Sequence, residues 1–481
     1  MIAAVLAAAL LLLFASPSLH SYGVYDIRRG LALGLFSFTI LLFSLQRGST
    51  ASLQRLFRQD LASLLLLALP FGLITALSLD LAELRFRVLG LSSAYNYILA
   101  IVFYGVVTVE VSRNPYKFLG PYQLTALIVS AAAFAQYLGP LLAAAIYEGL
   151  PVRGTNLFIY FEHPRFFSQI VSPIFLLVAC GASLKGAPTR RVVGWSTTAC
   201  LFLVSGLAAQ GAGPTYALIG SSVLLFAVLV VLRRYKTVLR LGLPFATMIG
   251  AVLIHFLLTN WVYGGDVGAV STSDAGRFEL WRKTLEALRH SPVVGYGPGS
   301  FPLVVEHSTT AHTHNALLQF WFEGGLLAAL ALAAFTTVLY GRLFRLVART
   351  PDGSEQLWML VTVIWVVTAM LIHAMVSGIA LMPMSQFMLV CMLGIANGIF
   401  LGEDPRWRAQ LTVSNNLERV SHSQALFVGC LWLIVIGGLA VTTRAYMDGR
   451  YCPYVQQSRE LGPALWGHHS CPIQTHSGAE G

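Results

Sequence analysis

Apolar runs long enough to cross a bilayer recur from one end of this chain to the other. A hydrocarbon core about 30 Å thick takes roughly 20 residues of helix, and a segment inside it must satisfy its own backbone hydrogen bonds. The runs lie near residues 2–16, 30–45, 61–79, 88–111, 121–139, 167–184, 192–211, 213–232, 242–260, 315–340, 357–377, 380–401 and 423–443. The expected fold is all-α, a polytopic membrane protein of about 12–13 transmembrane helices. Charged residues make up only 11% of the chain, where a soluble domain carries about 25%. The first run is short and has no basic residues before it, so it reads as a retained span rather than a cleaved signal peptide. One membrane domain is expected over residues 1–445, followed by a short tail, 446–481.

Lys and Arg set the expected orientation. With a cytoplasmic N-terminus, the inner loops are 46–60, 112–120, 185–191, 233–241, 341–356 and 403–422, and these short segments hold 18 of the 31 basic residues. That density obeys the positive-inside rule. It also accounts for the net charge of +10 without invoking nucleic acid. Segments 140–166, 261–313 and the tail then face outward. Cys452 and Cys471 in the tail could pair in an oxidising compartment, whereas Cys180, Cys200, Cys391 and Cys430 sit in apolar runs.

The longest outer loop, 261–313, has structure of its own to offer. Asp274 is placed to cap a helix running from Arg277 to Arg289. Phe278, Trp281, Leu285 and Leu288 share one face of it, and Arg277, Arg282, Lys283 and Arg289 make it basic. This is the pattern of an amphipathic helix in the membrane interface. A run of turns follows, Pro292-Val-Val-Gly295-Tyr296-Gly297-Pro298-Gly299-Ser300, in which glycine permits close backbone approach to a ligand.

The loop ends at His312-Thr313-His314-Asn315, where the next apolar run begins. Asn315, Gln319 and Glu323 then recur at i, i+4 and i+8, a single polar stripe on an apolar rod. A carboxylate there faces inward, because lipid will not solvate it. Two arginines on the outer side, Arg165 and Arg277, could grip an anionic, lipid-tethered substrate, since guanidinium forks bind phosphate oxygens bidentately. A neutral His314 could take a proton from an attacking hydroxyl. His312 is the rival base. His373, Tyr296 and Asn315 are secondary candidates, as is Glu323.

Plainer readings exist for each residue. Arg165 could anchor a span end, Arg277 could be a surface charge, and His314 a helix cap. Glu323 could close a structural hydrogen bond, and His373 could bond within the bundle. His307, His312 and His314 could ligate a metal, but no Cys or Asp lies near enough to strengthen that. No metal and no cofactor is expected.

His314-Asn315, then nine residues, then Gly325, resembles the signature of the O-antigen ligase and O-antigen polymerase superfamily. The position where that signature ends usually holds Gly, Thr or Tyr; here it is Ala328. Arg277, Trp281, Pro292, Gly295-Tyr296-Gly297 and Phe301 are similar to the family's outer loop. Phe161, Pro164-Arg165-Phe166-Phe167 resembles its earlier outer loop, with His163 where Asn is common. His373, Ser377-Gly378 and Pro383 resemble its penultimate region. The resemblance implies a membrane glycosyltransferase of the GT-C type, metal-independent and inverting, in the bacterial inner membrane with its site facing the periplasm. The donor would be a glycan on undecaprenyl diphosphate. The acceptor would be a hydroxyl of lipid A–core, a growing polysaccharide or a protein, the last making it a protein O-oligosaccharyltransferase. His314 would be the base, and Arg165 and Arg277 would hold the leaving diphosphate. A transporter for a lipid-linked sugar is the competing class, but its ligands would sit at mid-membrane, whereas these polar groups gather in one outer loop.

Overall fold

The computed structural model describes residues 24–46, 49–59, 84–116, 119–146, 164–209, 212–261, 276–297, 300–305 and 312–409. Among the described residues regular structure is helical, with no strand. In chain order the helices are α1 (Val24–Ser44), α2 (Ser49–Gln59), α3 (Leu84–Arg113), α4 (Leu119–Ile146) and α5 (Pro164–Ala182). Then come α6 (Thr189–Ala208), α7 (Ala212–Val231), α8 (Tyr235–Arg240), α9 (Gly242–Trp261) and α10 (Arg277–Leu288). The last are α11 (Phe301–Val304), α12 (Ala316–Arg349), α13 (Glu355–Ala374) and α14 (Pro383–Gly402). Seven helical segments of the described residues are long and apolar enough to cross a membrane, and Leu31–Ser44 and Phe167–Ala182 are shorter apolar helices. The chain is an all-α polytopic membrane protein. The runs at 2–16, 61–79 and 423–443 lie outside the described residues, as do Cys430, Cys452 and Cys471.

The core has two halves. In one, α14 lies along α3 with α1 beside them. Gly394, Gly398 and Gly402 form a ridge at four-residue spacing against Val107, Val111 and Pro115. A Cβ on Gly398 would come within 2.8 Å of the Thr108 carbonyl oxygen, so the two backbones meet closely, the usual packing between helices in lipid. In the other half, α13 packs on α7 and α5, while α5, α6, α4 and α9 lie side by side. Trp358 and Trp365 of α13 are fully buried there, whereas Ile249, Leu253 and Phe256 of α9 are exposed, as suits a surface facing lipid.

At one end, polar contacts tie the basic loops together. Arg240 pairs with Glu355 at 2.8 Å, donates to the Ser183 carbonyl at 2.6 Å, and lies over the Trp358 ring. Asp352 accepts from the backbone N–H groups of Lys236 and Thr237 and from the Thr237 hydroxyl, at 2.9, 3.1 and 2.7 Å. Segments 185–191, 233–241 and 341–356 therefore share an end, the grouping that the count of basic residues gave. The other end gathers the N-termini of α5, α7, α12 and α14 and the C-terminus of α13.

The long apolar run expected to be one rod over 315–340 is broken. Gly325 has φ 74 and ψ −179, and the helix restarts beyond it to end at Arg349. Only glycine holds that backbone without strain. The turn 292–297 fills the break. Tyr296 and Gly297 donate their N–H groups to the carbonyls of Phe322 and Glu323 at 2.8 and 2.9 Å, and Leu326 N–H goes to the Pro292 carbonyl at 3.1 Å. The Trp321 indole donates to the same carbonyl at 2.8 Å. The backbone groups that lose helical partners thus gain partners from the outer loop. Gly295 makes the approach possible, since a Cβ there would lie 2.6 Å from the Gly325 nitrogen.

The loop helix α10 forms as expected, but it buries a different face. Thr284 and Leu288 are buried, with Leu280 and Ala287 packed against the same small cluster of Phe301, Val305 and Phe322. Phe278 and Leu285, expected to share a face with Leu288, are exposed. The helix thus has two apolar edges, one on the protein and one turned outward. Gly276 occupies its N-cap position in a left-handed conformation, and Asp274 lies outside the described residues.

Candidate functional site

The segment 312–315 is held on all sides. Asn315 is the N-cap of α12, its side-chain oxygen accepting from Leu318 N–H at 2.9 Å. Thr313 is fully buried, and its hydroxyl donates to the Asn315 carbonyl at 2.7 Å. Its carbonyl accepts the Trp281 indole N–H at 2.8 Å, so α10 is fastened to this segment directly. Its N–H donates to Gln319 Oε1 at 2.9 Å. Gln319 Nε2 in turn donates to Glu323 Oε1 at 2.8 Å, and the Tyr97 hydroxyl, from α3, reaches Glu323 Oε2 at 3.5 Å. The polar stripe seen in the sequence is therefore a connected chain of hydrogen bonds, confined to the short helical piece before the break.

The two histidines differ. His312 is buried, and its Nδ1 accepts the His314 N–H at 3.3 Å, which leaves the proton of a neutral ring on Nε2. Burial pushes its pKa down from 6.5 to about 4, so the ring is neutral at physiological pH. Its Nε2 edge lies against Gly378, in the turn between α13 and α14, where a Cβ would approach to 2.6 Å. His314 is half-buried and stands edge-on to His312, with ring centroids 4.2 Å apart. Its φ of 55 is left-handed, a conformation uncommon outside glycine that turns the side chain away from the path of the helix.

His373, five residues before Gly378, is buried at the C-terminus of α13 with its ring against Gly213 in the first turn of α7. Its Nδ1 has no hydrogen-bond partner among the described residues. Arg277 is the first residue of α10, one turn before the Trp281 that donates to the Thr313 carbonyl. Arg282 is committed elsewhere, pairing with Glu279 at 2.6 Å and Glu286 at 2.5 Å. Arg165 lies in the first turn of α5, and its side chain is outside the described set. One turn along, Gln169 accepts the Ser385 hydroxyl at 3.0 Å, which brings the start of α5 against the start of α14. His307 lies outside the described residues, and so leaves the three-histidine metal site without one of its ligands on view.

The structure thus gathers His312, His314, Asn315 and Glu323 in one short segment, to which the helix that begins at Arg277 is fastened, and sets His373 at the C-terminus of α13. Tyr296 has a packing place: its ring stacks on Phe322 at 4.9 Å and its hydroxyl donates to the Ala287 carbonyl at 2.5 Å. Sequence reasoning missed Tyr97 and Asn96, the latter donating to Gln386 Oε1 at 3.3 Å. Polar side chains inside the apolar run 88–111 were the available signal. A half-buried imidazole can accept a proton while a guanidinium holds an anion.

Residues 170–333 match the family model described as O-antigen ligase. Among curated proteins there is no match to the chain. The matched segment takes in Arg277, Tyr296, His312, His314, Asn315 and Glu323 and leaves Arg165 and His373 outside. A loop helix fastened by Trp281 to a His-Asn segment at a glycine-broken helix start lies wholly within it, and over that segment the chain is similar to the O-antigen ligase superfamily, a family of glycosyltransferase- or ligase-type activity.

Proposed function

We propose that this protein transfers a glycan from undecaprenyl diphosphate to an acceptor hydroxyl, on lipid A–core or a growing polysaccharide, at the periplasmic face of the bacterial inner membrane. His314 removes the proton of the acceptor hydroxyl as its oxygen attacks the anomeric carbon from the side opposite the diphosphate. The anomeric carbon–oxygen bond to the diphosphate breaks, and configuration inverts. The charge that develops on the leaving diphosphate is met by Arg277 and Arg165. A diphosphate leaves readily once its charge is neutralised, so a base and two guanidinium groups supply what the step needs without a metal.

The observation that carries this reading is the contrast between the two histidines, on a segment fastened to the helix that begins at Arg277. His312 is sealed in and its Nδ1 is occupied by the His314 amide, whereas His314 is half-exposed. That favours His314 as the base and gives His312 the task of supporting it. The basic loops gathered at the opposite end support the periplasmic placement, by the positive-inside rule.

The test is a transfer assay with purified protein in detergent. Undecaprenyl-diphosphate glycan is supplied with lipid A–core, with a second donor molecule, or with a hydroxyl-bearing acceptor protein, in the presence of EDTA. Transfer to lipid A–core that persists in EDTA and is lost in His314→Ala supports a metal-independent ligase. Chain growth on the second donor makes the protein a polymerase, and transfer to protein an oligosaccharyltransferase. Full activity in His314→Ala refutes the role of that residue.

A further inference from the structure

We infer that Gln319 and Glu323 are a directional pair, positioning residues that fix which end of the Gln319 amide faces Thr313 and thereby hold the turn that presents His314. The inference rests on the reading of His314 as the base. A glutamine amide has an acceptor end and a donor end, and its direction is set by its partners. Here Glu323 Oε1 takes the donor end at 2.8 Å, so the acceptor end is left to meet Thr313 N–H at 2.9 Å. Reversed, the amide would set two N–H groups against each other. Thr313 is also fixed at its carbonyl by Trp281 and at its hydroxyl by the Asn315 carbonyl. His314 follows immediately, in a left-handed conformation that its surroundings must maintain.

Gln319 and Glu323 are buried, and Glu323 sits close to Phe320 and Phe322 in an otherwise apolar helix start. An apolar pair of similar size would spare the desolvation of the carboxylate. What an apolar pair lacks is an acceptor for the Thr313 amide. Tyr97 closes the far oxygen of Glu323 from α3, so the direction of the pair is referred to the bundle and not only to the loop.

The experiment reverses the pair. Gln319→Glu places two carboxylates face to face, and transfer kcat should fall by about 100-fold, the scale on which a misplacement of about 1 Å acts, with KM for the donor nearly unchanged. Adding Glu323→Gln restores one donor and one acceptor with the acceptor still facing Thr313, and kcat should return to within about 10-fold of the unaltered protein. Amide exchange over 313–319 should rise in the single variant and fall back in the double. A purely structural role predicts lost folded protein and no kcat-selective recovery. A Gln319→Glu variant with unaltered kcat, or a folded double variant without recovery, overturns the inference. If Gln319→Glu does not fold, Gln319→Leu keeps the volume and removes the acceptor; normal kcat there also overturns it. His314→Ala runs in parallel: if it transfers normally the base reading fails, while exchange at Thr313 in the pair variants still judges the pair itself.

Discussion

Gly325→Ala should release the outer loop from the membrane bundle without unfolding the bundle. At φ 74 and ψ −179 the residue occupies a region that costs an alanine about 1–3 kcal/mol. The added Cβ would also overlap the Val293 carbonyl, which is backbone and cannot swing away. The easiest relief is to expel the turn 292–297. That breaks the three backbone hydrogen bonds from Tyr296, Gly297 and Leu326 that bridge the gap, each worth about 1 kcal/mol net. Opening breaks those bonds with or without the substitution, so the opening equilibrium shifts by the strain released, at least about 1–3 kcal/mol, or roughly 5- to 150-fold. Hydrogen–deuterium exchange in detergent reads this directly: amides at 296, 297 and 326 should exchange faster by that factor, while those of α13 stay as they were. Transfer should fall as well, because α10 carries Arg277 and is anchored through the same turn. Gly341→Ala is the control, since nothing lies within 4 Å of its Cβ position and alanine is favoured over glycine in a helix by about 1 kcal/mol. Unaltered exchange at 296, 297 and 326 in Gly325→Ala would refute the account of the break.

Gly378→Ala should push the His312 ring, whose Nε2 would lie 2.6 Å from the new Cβ, and lower transfer by about 10- to 100-fold while donor binding holds; unchanged turnover would sink the link between that turn and the histidines. His312 should make stability acid-sensitive. Its folded pKa, about 4, lies below the ordinary 6.5, so its contribution is complete above 6.5 and drains as pH falls from 6.5 toward 4, by about 3 kcal/mol in all. The thermal midpoint in detergent should drop across that window, and His312→Leu should flatten the slope; equal slopes would argue against a buried neutral ring. Asp352→Ala should loosen exchange at Lys236 and Thr237 by removing their acceptor, a cost of about 1–3 kcal/mol, yet leave transfer intact at the far end of the bundle. A large loss of activity there would mean that the two ends are coupled.

What could be read in advance divides along physical lines. Helices such as Glu355–Ala374 and Pro383–Gly402 were plain because lipid leaves a chain one solution over 20 apolar residues. The importance of the His312–Glu323 segment was also visible, because polar groups at helical spacing must turn inward. The break at Gly325 was not, since hydrophobicity runs straight through it and only the glycine pair gave warning; what decides it is the close fit of Gly295, 30 residues earlier. The inward face of α10 was misjudged for a related reason. Periodicity finds an apolar face, but Thr284 packs inward because its hydroxyl is satisfied by the Leu280 carbonyl at 2.6 Å, freeing Phe278 and Leu285 to turn outward. Tyr97 lies 226 residues from Glu323, and no local pattern announces such a pairing.

The Asp352 contacts also bear on how the chain is made. Helix α8 is six residues long, too short to persist alone, and its first amides are accepted by a carboxylate 116 residues further on. At about 5–20 residues per second, the ribosome delivers that carboxylate on the order of ten seconds after Lys236 has emerged. Through that interval the amides of Lys236 and Thr237 lack the acceptor that the finished structure gives them. The hairpin of α12 and α13 therefore gives form to a connection synthesised well before it, and at this end of the molecule consolidation runs from the later half of the chain back to the earlier one.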